Sequence, residues 1–329
     1  MLIDTQCHIF PEKYVEMLAK YSVFPKVEIH KEERMAKCVY DAGLVMRIVF
    51  DKYSIEGFLR SMEKSGIDIS LISCNIPDPC TSLPKELVED ACKLINDEIH
   101  SWVTRYPDKF RGIASLPWNI PRAAVKEVQR VKDLEFVGVQ LLTQNGGILA
   151  DNEMLFEIYA ECEKLDLPVF IHPTVPVWHD ATADYNLTTA VGFPMDTSLT
   201  CIRMIYGRVF DKYPNLRVHM PHAGGVLPWL DGRLSYNPPA VPKPELKDGK
   251  TVVDYLKGAN VWYDVCNPSS MLLHLFKTYM GCDKAMFATD YPFLPAKELL
   301  EFLENAGYNE EEMEKIKWKN ANDFYKLNL

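Results

Sequence analysis

The sequence predicts an α/β fold, a (β/α)8 TIM barrel with a long insertion after its first strand. Two observations carry this prediction. Short apolar runs alternate along the chain with stretches whose apolar residues recur at helical spacing. The first run leads into residues 6–11 and not into the glycine-rich turn that usually opens a doubly wound open sheet, which is the competing architecture.

Eight apolar runs qualify as strands, and several consist mainly of Val, Ile and Phe without polar alternation. Strands that are buried on both faces have this composition. The runs cover residues 2–7, 67–74, 110–116, 136–142, 168–172, 216–219, 261–265 and 285–289. Helices are predicted between most of them, among others at 55–65, 85–105, 153–166 and 196–212. We therefore expect one barrel domain over residues 1–329.

Two segments interrupt the regular repeat of strand and helix. Residues 9–53 form the long insertion after the first strand. Residues 234–250 are predicted to be an irregular loop because they contain Pro238, Pro239, Pro242 and Pro244. Connections that follow barrel strands lie at the C-terminal mouth, where active sites are built, so we expect both segments beside the active site.

Composition and charge exclude several classes of function. The formal net charge is −10, which argues against nucleic acid or an anionic membrane as the main partner. The nine cysteines are scattered and contain no CxxC pair, so neither a disulfide framework nor a zinc finger is indicated. The sequence shows no signal peptide and no apolar run of roughly 18 residues, and we expect a cytoplasmic protein.

Four polar residues at predicted strand ends are the candidate metal-binding and catalytic groups. His8, His172, His222 and Asp290 follow or end strands one, five, six and eight. Each alone has an ordinary structural interpretation, such as a hydrogen-bonded core histidine or a turn-capping aspartate. Together they would meet at one barrel mouth. Three imidazoles and a carboxylate around one cavity suit a divalent ion such as zinc.

The sequence also resembles the aminocarboxymuconate-semialdehyde decarboxylase-like branch of the amidohydrolase superfamily. That branch includes aromatic-acid decarboxylases of the γ-resorcylate type and some hydratases and hydrolases. The resemblance covers nearly the whole chain and is strongest over residues 3–11, 172–173, 192–216, 222–233 and 267–293. It implies one divalent metal, zinc or manganese, held by His8, His172 and Asp290. It further implies that His222 is the catalytic histidine that works beside the metal. Asp290 is also a catalytic candidate, because either Asp290 or His222 would act as the base if the reaction is hydrolysis or hydration.

The resemblance also suggests which residues bind the substrate, a small carboxylate. Arg233 matches an arginine that grips the substrate carboxylate and that can come from a neighbouring subunit, which implies a homodimer. Arg47, in the long insertion, is a weaker match to a second arginine of this kind. Trp178 lies in the loop after strand five, near the expected mouth, and is a candidate for substrate contact.

Gln6 departs from the family pattern, which has histidine or glutamate at this first ligand position. An amide oxygen is a weaker ligand than imidazole or carboxylate, particularly for zinc. Three outcomes remain open: Gln6 ligates weakly or holds a bound water, the site binds metal loosely, or the site works without metal. Cys7 is no substitute, because strand alternation directs it away from Gln6 and His8.

The preferred hypothesis is non-oxidative decarboxylation of a small unsaturated or aromatic carboxylic acid. A metal would bind substrate oxygens, and His222 would supply a proton at the carbon that loses CO2. The first alternative is hydrolysis or hydration of a lactone, amide or enoate at the same site, with or without metal. The second is a metal-free barrel that only binds a ligand.

Overall fold

A computed structural model describes residues 1–41, 43–236, 239–240 and 242–329 of the chain. Its centre is one sheet of eight parallel strands that neighbour each other in chain order. The strands are β1 Ile3–His8, β2 Ile69–Ser73, β3 Phe110–Ser115, β4 Gly138–Leu142, β5 Val169–His172, β6 Val218–Met220, β7 Val261–Asp264 and β8 Ala285–Met286. These elements confirm the predicted eight-stranded α/β barrel. Pro238, in the predicted proline-rich loop, lies outside the described residues.

The barrel closes between β1 and the segment after β8, and this closure is irregular. We predicted a strand over residues 285–289, but regular pairing ends at Met286. The Phe287 carbonyl still accepts a hydrogen bond from the Thr5 amide at 3.0 Å, while the Phe287 amide turns outward to Ile316 O at 2.9 Å. The Thr289 amide then donates to the buried Asp4 carboxylate at 2.9 Å. The Asp4 side chain therefore replaces part of the backbone hydrogen bonding expected between β1 and β8.

Helices cover the outside of the barrel as the repeat predicts. Those between successive strands are Ile55–Ser65, Lys85–Arg105, Pro121–Asp133, Phe156–Lys164, Phe193–Tyr206, Val252–Leu256 and Ser270–Met280. Shorter α-helices span Phe50–Tyr53, Pro79–Ser82, Val209–Lys212 and Asp231–Ser235. Three more helices follow β8, at Ala296–Asn305, Glu310–Glu314 and Asn320–Tyr325. The helix predicted over 196–212 is split because Arg208 adopts a left-handed φ of 63°. No helix in the described ranges is long and apolar enough to cross a membrane.

The insertion after β1 has a structure of its own. Helix Glu12–Tyr21 leads into an antiparallel three-stranded sheet formed by Lys26–His30, Met35–Val39 and Val45–Val49. Residues on one face of this sheet, such as Cys38 and Ile48, are fully buried in the main hydrophobic cluster. The alternate residues face outward, as strand geometry requires.

The barrel interior is apolar at its lower end and polar at its upper end. Ile3, Leu71, Ile113, Phe170 and Met286 form an inner cluster with Phe324, Tyr325 and other residues near the C-terminus, which plug the N-terminal opening. Nearer the C-terminal ends of the strands the inward residues are polar. The chemistry is thereby confined to the C-terminal mouth, as in other barrels of this kind.

Asp78 lies in the β2–β3 connection and provides a test of buried charge in this fold. Its carboxylate caps helix Pro79–Ser82 by accepting from the Cys80 amide at 2.8 Å, and burial raises its pKa to about 7. The folded state therefore holds this proton more tightly than the unfolded chain, so stability falls as pH rises from about 4 to about 7. Relative to Asp78→Asn, the wild type should lose on the order of 2–3 kcal/mol between pH 5 and pH 8.

Urea denaturation of both proteins at the two pH values measures this difference. Groups that titrate in both proteins cancel in the comparison. Asp108→Asn, at an exposed position, serves as the matched control and should follow the wild type. Parallel pH dependence in wild type and Asp78→Asn would show that Asp78 is ionised without penalty.

Candidate metal centre

Three predicted ligands meet at the upper end of the barrel. His8 ends β1, His172 ends β5 and Asp290 follows β8. Each offers one ligand atom, and these atoms all lie within 4.8 Å of one another. Both histidines are buried, whereas Asp290 is partly exposed to the mouth. The fold thus brings together side chains from the two ends and the middle of the chain.

Hydrogen bonds fix the orientation of both imidazoles. His172 Nδ1 lies 2.7 Å from the Pro173 carbonyl oxygen, so Nδ1 carries the proton and Nε2 keeps its lone pair. His8 Nδ1 lies 3.2 Å from Ser73 Oγ, and His8 Nε2 lies 2.7 Å from Asp290 Oδ1. Metal-ligating histidines are commonly held in this way through their second ring nitrogen.

Gln6 lies inside this cluster. Its Nε2 donates to Asp290 Oδ1 at 2.9 Å and lies 3.3 Å from His222 Nε2. Its Oε1 is buried and has no hydrogen-bond partner among the described residues. Two imidazoles, one carboxylate and an unpartnered amide oxygen form a donor set that fits a divalent cation.

The surroundings set the charge of the ligands as a metal site requires. Burial, reinforced by the neighbouring His8, lowers the pKa of His172 to about 3, so this imidazole is neutral near pH 7. Burial by itself would raise the pKa of Asp290. The hydrogen bonds with His222 and His8 outweigh burial and bring the pKa below the ordinary aspartate value. A neutral imidazole and an ionised carboxylate are the ligating forms.

A strained turn after β6 places His222 beside Asp290. His222, Ala223, Gly224 and Gly225 all have positive φ, at 56°, 57°, 70° and 68°. Left-handed backbone is unfavourable for the two non-glycine residues, so the surrounding structure must hold it. At Gly225 a Cβ atom would come within 2.2 Å of the Pro194 carbonyl oxygen, which leaves room only for glycine.

Asp264, at the end of β7, stabilises the turn at residues 222–225 by hydrogen bonding. Its Oδ1 accepts from the His222 amide at 2.8 Å, and its Oδ2 lies 3.1 Å from His219 Nε2. His219 in turn contacts the Tyr325 hydroxyl at 2.8 Å, which ties the site to the C-terminal plug. His222 Nε2 is thereby placed 3.5 Å from Asp290 Oδ2. Burial lowers the pKa of His222, but its bond to Asp290 outweighs this and raises the pKa above the ordinary value.

The predicted substrate-binding residues lie further out. Arg233 is exposed on the short helix Asp231–Ser235, and Arg47 is exposed on the outer face of the inserted sheet. Neither guanidinium forms an ion pair within the part of the chain that the structure describes. Trp178 is partly exposed, and its neighbours Val177 and His179 line a cavity of about 380 Å³ beside the mouth.

Sequence inspection missed two polar residues: Ser73, the last residue of β2, and Asn75, just after that strand. Ser73 holds His8, and Asn75 lies with its Nδ2 3.4 Å from His172 Nε2. Both are buried, at 1% and 4% exposure. Their spacing by two residues at the end of an apolar run repeats that of Gln6 and His8, and this alternation was the available signal.

Comparison with known proteins identifies the family. The family model described as amidohydrolase matches residues 82–327. The chain belongs to the amidohydrolase family. Within it, this amidohydrolase is 30% identical over 305 residues to a 2-amino-3-carboxymuconate-6-semialdehyde decarboxylase from Dictyostelium discoideum, covering 91% of the chain and 83% of the relative. The branch predicted from the sequence is thereby confirmed.

A second relative and a solved structure place the amidohydrolase among similar proteins. It is 28% identical to a gamma-resorcylate decarboxylase from Polaromonas sp., with 82% of the chain and 86% of the relative covered. The structure of a dihydroxybenzoic acid decarboxylase from Polaromonas sp. matches with a TM-score of 0.79 at 24% identity, covering 100% of this chain and 97% of that one. That structure holds manganese and the inhibitor 2-nitroresorcinol.

Proposed function

We propose that this amidohydrolase is a metal-dependent, non-oxidative decarboxylase of a small unsaturated or aromatic carboxylic acid. One observation carries the proposal: His8, His172 and Asp290 converge within 4.8 Å, and His222 lies against Asp290. The names of the two relatives support the substrate class, since both act on unsaturated or aromatic acids.

His8, His172 and Asp290 would hold one divalent ion, with Gln6 Oε1 as a weak fourth ligand. The donor set suits zinc, and manganese is the alternative that the related structure supports. When bound, such an ion supplies a Lewis acid for substrate oxygens or lowers the pKa of a coordinated water.

The chain's own residues would handle the proton. When the bond to the carboxylate breaks, its electron pair stays on the substrate carbon, and a proton must reach that carbon. His222 is suited to deliver it from Nε2, because its contact with Asp290 favours the protonated imidazole. Asp264 fixes the backbone of His222 and so limits the positions that the ring can take.

The substrate carboxylate would be bound by Arg233, with Arg47 and Trp178 as further contacts. Because both guanidinium groups are exposed in the single chain, the proposal includes a homodimer in which Arg233 serves the neighbouring site. The cytoplasmic location and the single domain over residues 1–329 remain predictions from the sequence.

Carbon dioxide release tests the proposed reaction. The metal-loaded protein is incubated with 2,6-dihydroxybenzoate and with muconate-type acids, and released CO2 and the decarboxylated product are quantified together. Equal amounts of both are expected. Ring opening or hydration without CO2 would assign the site to hydrolysis or hydration instead, and metal-independent turnover would remove the metal from the mechanism.

Replacing Gln6 by histidine should strengthen metal binding. An imidazole nitrogen is a better donor than an amide oxygen for zinc, so the affinity for zinc should rise by about tenfold or more. Competition with a chromophoric chelator measures this affinity. Gln129→His, at an exposed position, is the matched control and should leave the affinity unchanged. An unchanged affinity in Gln6→His would show that Gln6 does not face the ion.

A further inference from the structure

His219 is a fully buried imidazole in β6 that does not belong to the group of converging metal ligands. Its ring packs against Phe170 of the inner apolar cluster, with the ring centroids 4.7 Å apart. A polar group in such surroundings is unfavourable unless its hydrogen bonds are satisfied. The hydrogen-bond partners of His219 therefore indicate what an imidazole contributes at this position.

The two ring nitrogens of His219 connect two distant elements. Nε2 lies 3.1 Å from Asp264 Oδ2, and Nδ1 lies 2.8 Å from the Tyr325 hydroxyl. A carboxylate only accepts hydrogen bonds, so His219 Nε2 carries the proton in its contact with Asp264. Tyr325 is the last residue of helix Asn320–Tyr325, and burial raises its pKa well above the ordinary tyrosine value, so the hydroxyl keeps its proton. His219 thus links the C-terminal helix to β7.

Asp264 passes this link on to the turn that carries His222. Its Oδ1 accepts from the backbone amides of His222 at 2.8 Å and Cys266 at 2.9 Å. Its Oδ2 has His219 as its partner in the described part of the chain. Without His219, Oδ2 would be a buried acceptor with no partner, which is unfavourable, and the carboxylate would rotate away from its present orientation. His219 therefore fixes the orientation in which Asp264 holds the His222 amide.

The turn at residues 222–225 depends on support of this kind. The left-handed backbone at His222 and Ala223 persists only where the surrounding structure holds it. Ser198 Oγ accepts from the Val226 amide at 2.8 Å and holds the far end of the turn. Asp264 holds the end at His222. A shift of this end would displace the His222 ring, and a displacement of about 1 Å can lower a rate by roughly a hundredfold.

We propose that His219 and Tyr325 are positioning residues that act on His222 through Asp264. They orient the Asp264 carboxylate, so the geometry of the turn depends on a hydroxyl group of the C-terminal helix. The expected effect on turnover rests on the proposed function, because it takes His222 as the proton donor. The expected effect on the turn itself does not.

Hydrogen–deuterium exchange of the full-length protein, followed by mass spectrometry, tests this coupling without a substrate. Tyr325→Phe removes one hydroxyl and keeps the ring, so the amides of residues 222–226 should exchange about tenfold faster. His219→Leu should have the same effect. His219→Gln keeps an NH2 group that can donate to Asp264, so exchange should stay within about threefold of the wild type.

Tyr159→Phe is the matched control for the loss of a buried hydroxyl. The Tyr159 hydroxyl donates to the Ala150 carbonyl at 2.6 Å, on a different side of the chain's hydrogen-bond network. This variant should leave exchange at residues 222–226 unchanged even if its melting temperature falls. Faster exchange in Tyr325→Phe and not in Tyr159→Phe is therefore specific to the link through His219.

Turnover of the manganese-loaded variants measures the consequence for the reaction. The kcat for CO2 release should fall by about 10- to 100-fold in His219→Leu and by about three- to tenfold in Tyr325→Phe. Metal content and the affinity for 2-nitroresorcinol should stay within about threefold, because neither residue contacts the ligand atoms. His219→Gln should recover most of the lost kcat. A purely structural role would lower melting temperatures and leave kcat of the folded enzyme unchanged.

Unchanged exchange at residues 222–226 in Tyr325→Phe and His219→Leu would overturn the inference. Equal exchange in His219→Gln and His219→Leu would overturn it too, and so would faster exchange with an unchanged kcat. If His219→Leu does not fold, the milder Tyr325→Phe decides. A wild type that releases no CO2 would overturn the proposed function instead, and the exchange measurement would still decide whether the C-terminal helix holds the turn.

Discussion

Replacing His172 by alanine should reduce bound metal from about one equivalent to less than about a tenth, and should lower turnover by at least roughly a thousandfold. His172 presents a lone pair whose direction is fixed by the bond from Nδ1 to the Pro173 carbonyl. Burial keeps this imidazole neutral, since its pKa is lowered to about 3. Without His172 only His8, Asp290 and the weakly binding amide oxygen of Gln6 would remain, and this set holds a divalent ion poorly.

Elemental analysis of protein purified without chelator, together with CO2 release, measures both effects. His274→Ala is the control: it removes an exposed imidazole on the helix Ser270–Met280 and should keep both the bound metal and the activity. Because His172 is buried, His172→Asn is included as a variant closer in shape, and melting temperatures are compared. Full metal content with full turnover in a folded His172 variant would remove this residue from the ligand set.

Replacing His222 by asparagine should lower kcat by roughly 10²- to 10⁴-fold while metal content stays the same. His222 contacts Asp290 but does not belong to the group of three converging ligand atoms. Its proposed task is proton delivery, so its loss should affect the chemical step and leave the affinity for 2-nitroresorcinol nearly unchanged. This pattern differs from that of His172, where metal and turnover are lost together.

Exchange in D2O gives a second measurement for His222. The wild type should catalyse incorporation of deuterium into the decarboxylated product, because protonation of that carbon is reversible at the site. His222→Asn should lose this exchange, whereas His274→Ala should retain it. Undiminished exchange in His222→Asn would assign the proton to another group, with Asp290 as the first candidate.

Much of the site could be predicted from the sequence because barrel topology sends all strand ends to one mouth. His8, His172, His222 and Asp290 lie far apart along the chain, yet each follows or ends a recognisable apolar run. The helix at Lys85–Arg105 matched its predicted bounds because its apolar residues recur regularly along one face. The inserted sheet was not predicted, although apolar and charged residues alternate along its short strands and this alternation was an available signal.

Other features could not be predicted because they depend on contacts between distant residues. The end of β8 departs from the predicted strand because the Asp4 side chain takes the amide of Thr289. The sequence contains a run compatible with a strand through residue 289, but it does not show that partner. Arg47 matched a substrate-binding pattern, whereas its exposure follows from the alternation of the inserted sheet.

The sequence by itself determined the barrel and the family and predicted the residues that meet at the candidate site, because periodicity and residue type are local properties. The tertiary structure alone decided which atoms face each other: Gln6 Nε2 contacts Asp290 and His222, and Asn75 borders His172 with an unpartnered oxygen. Hydrogen bonds act over about 3 Å and depend on direction. Strand spacing and packing set such distances, and no linear pattern records them.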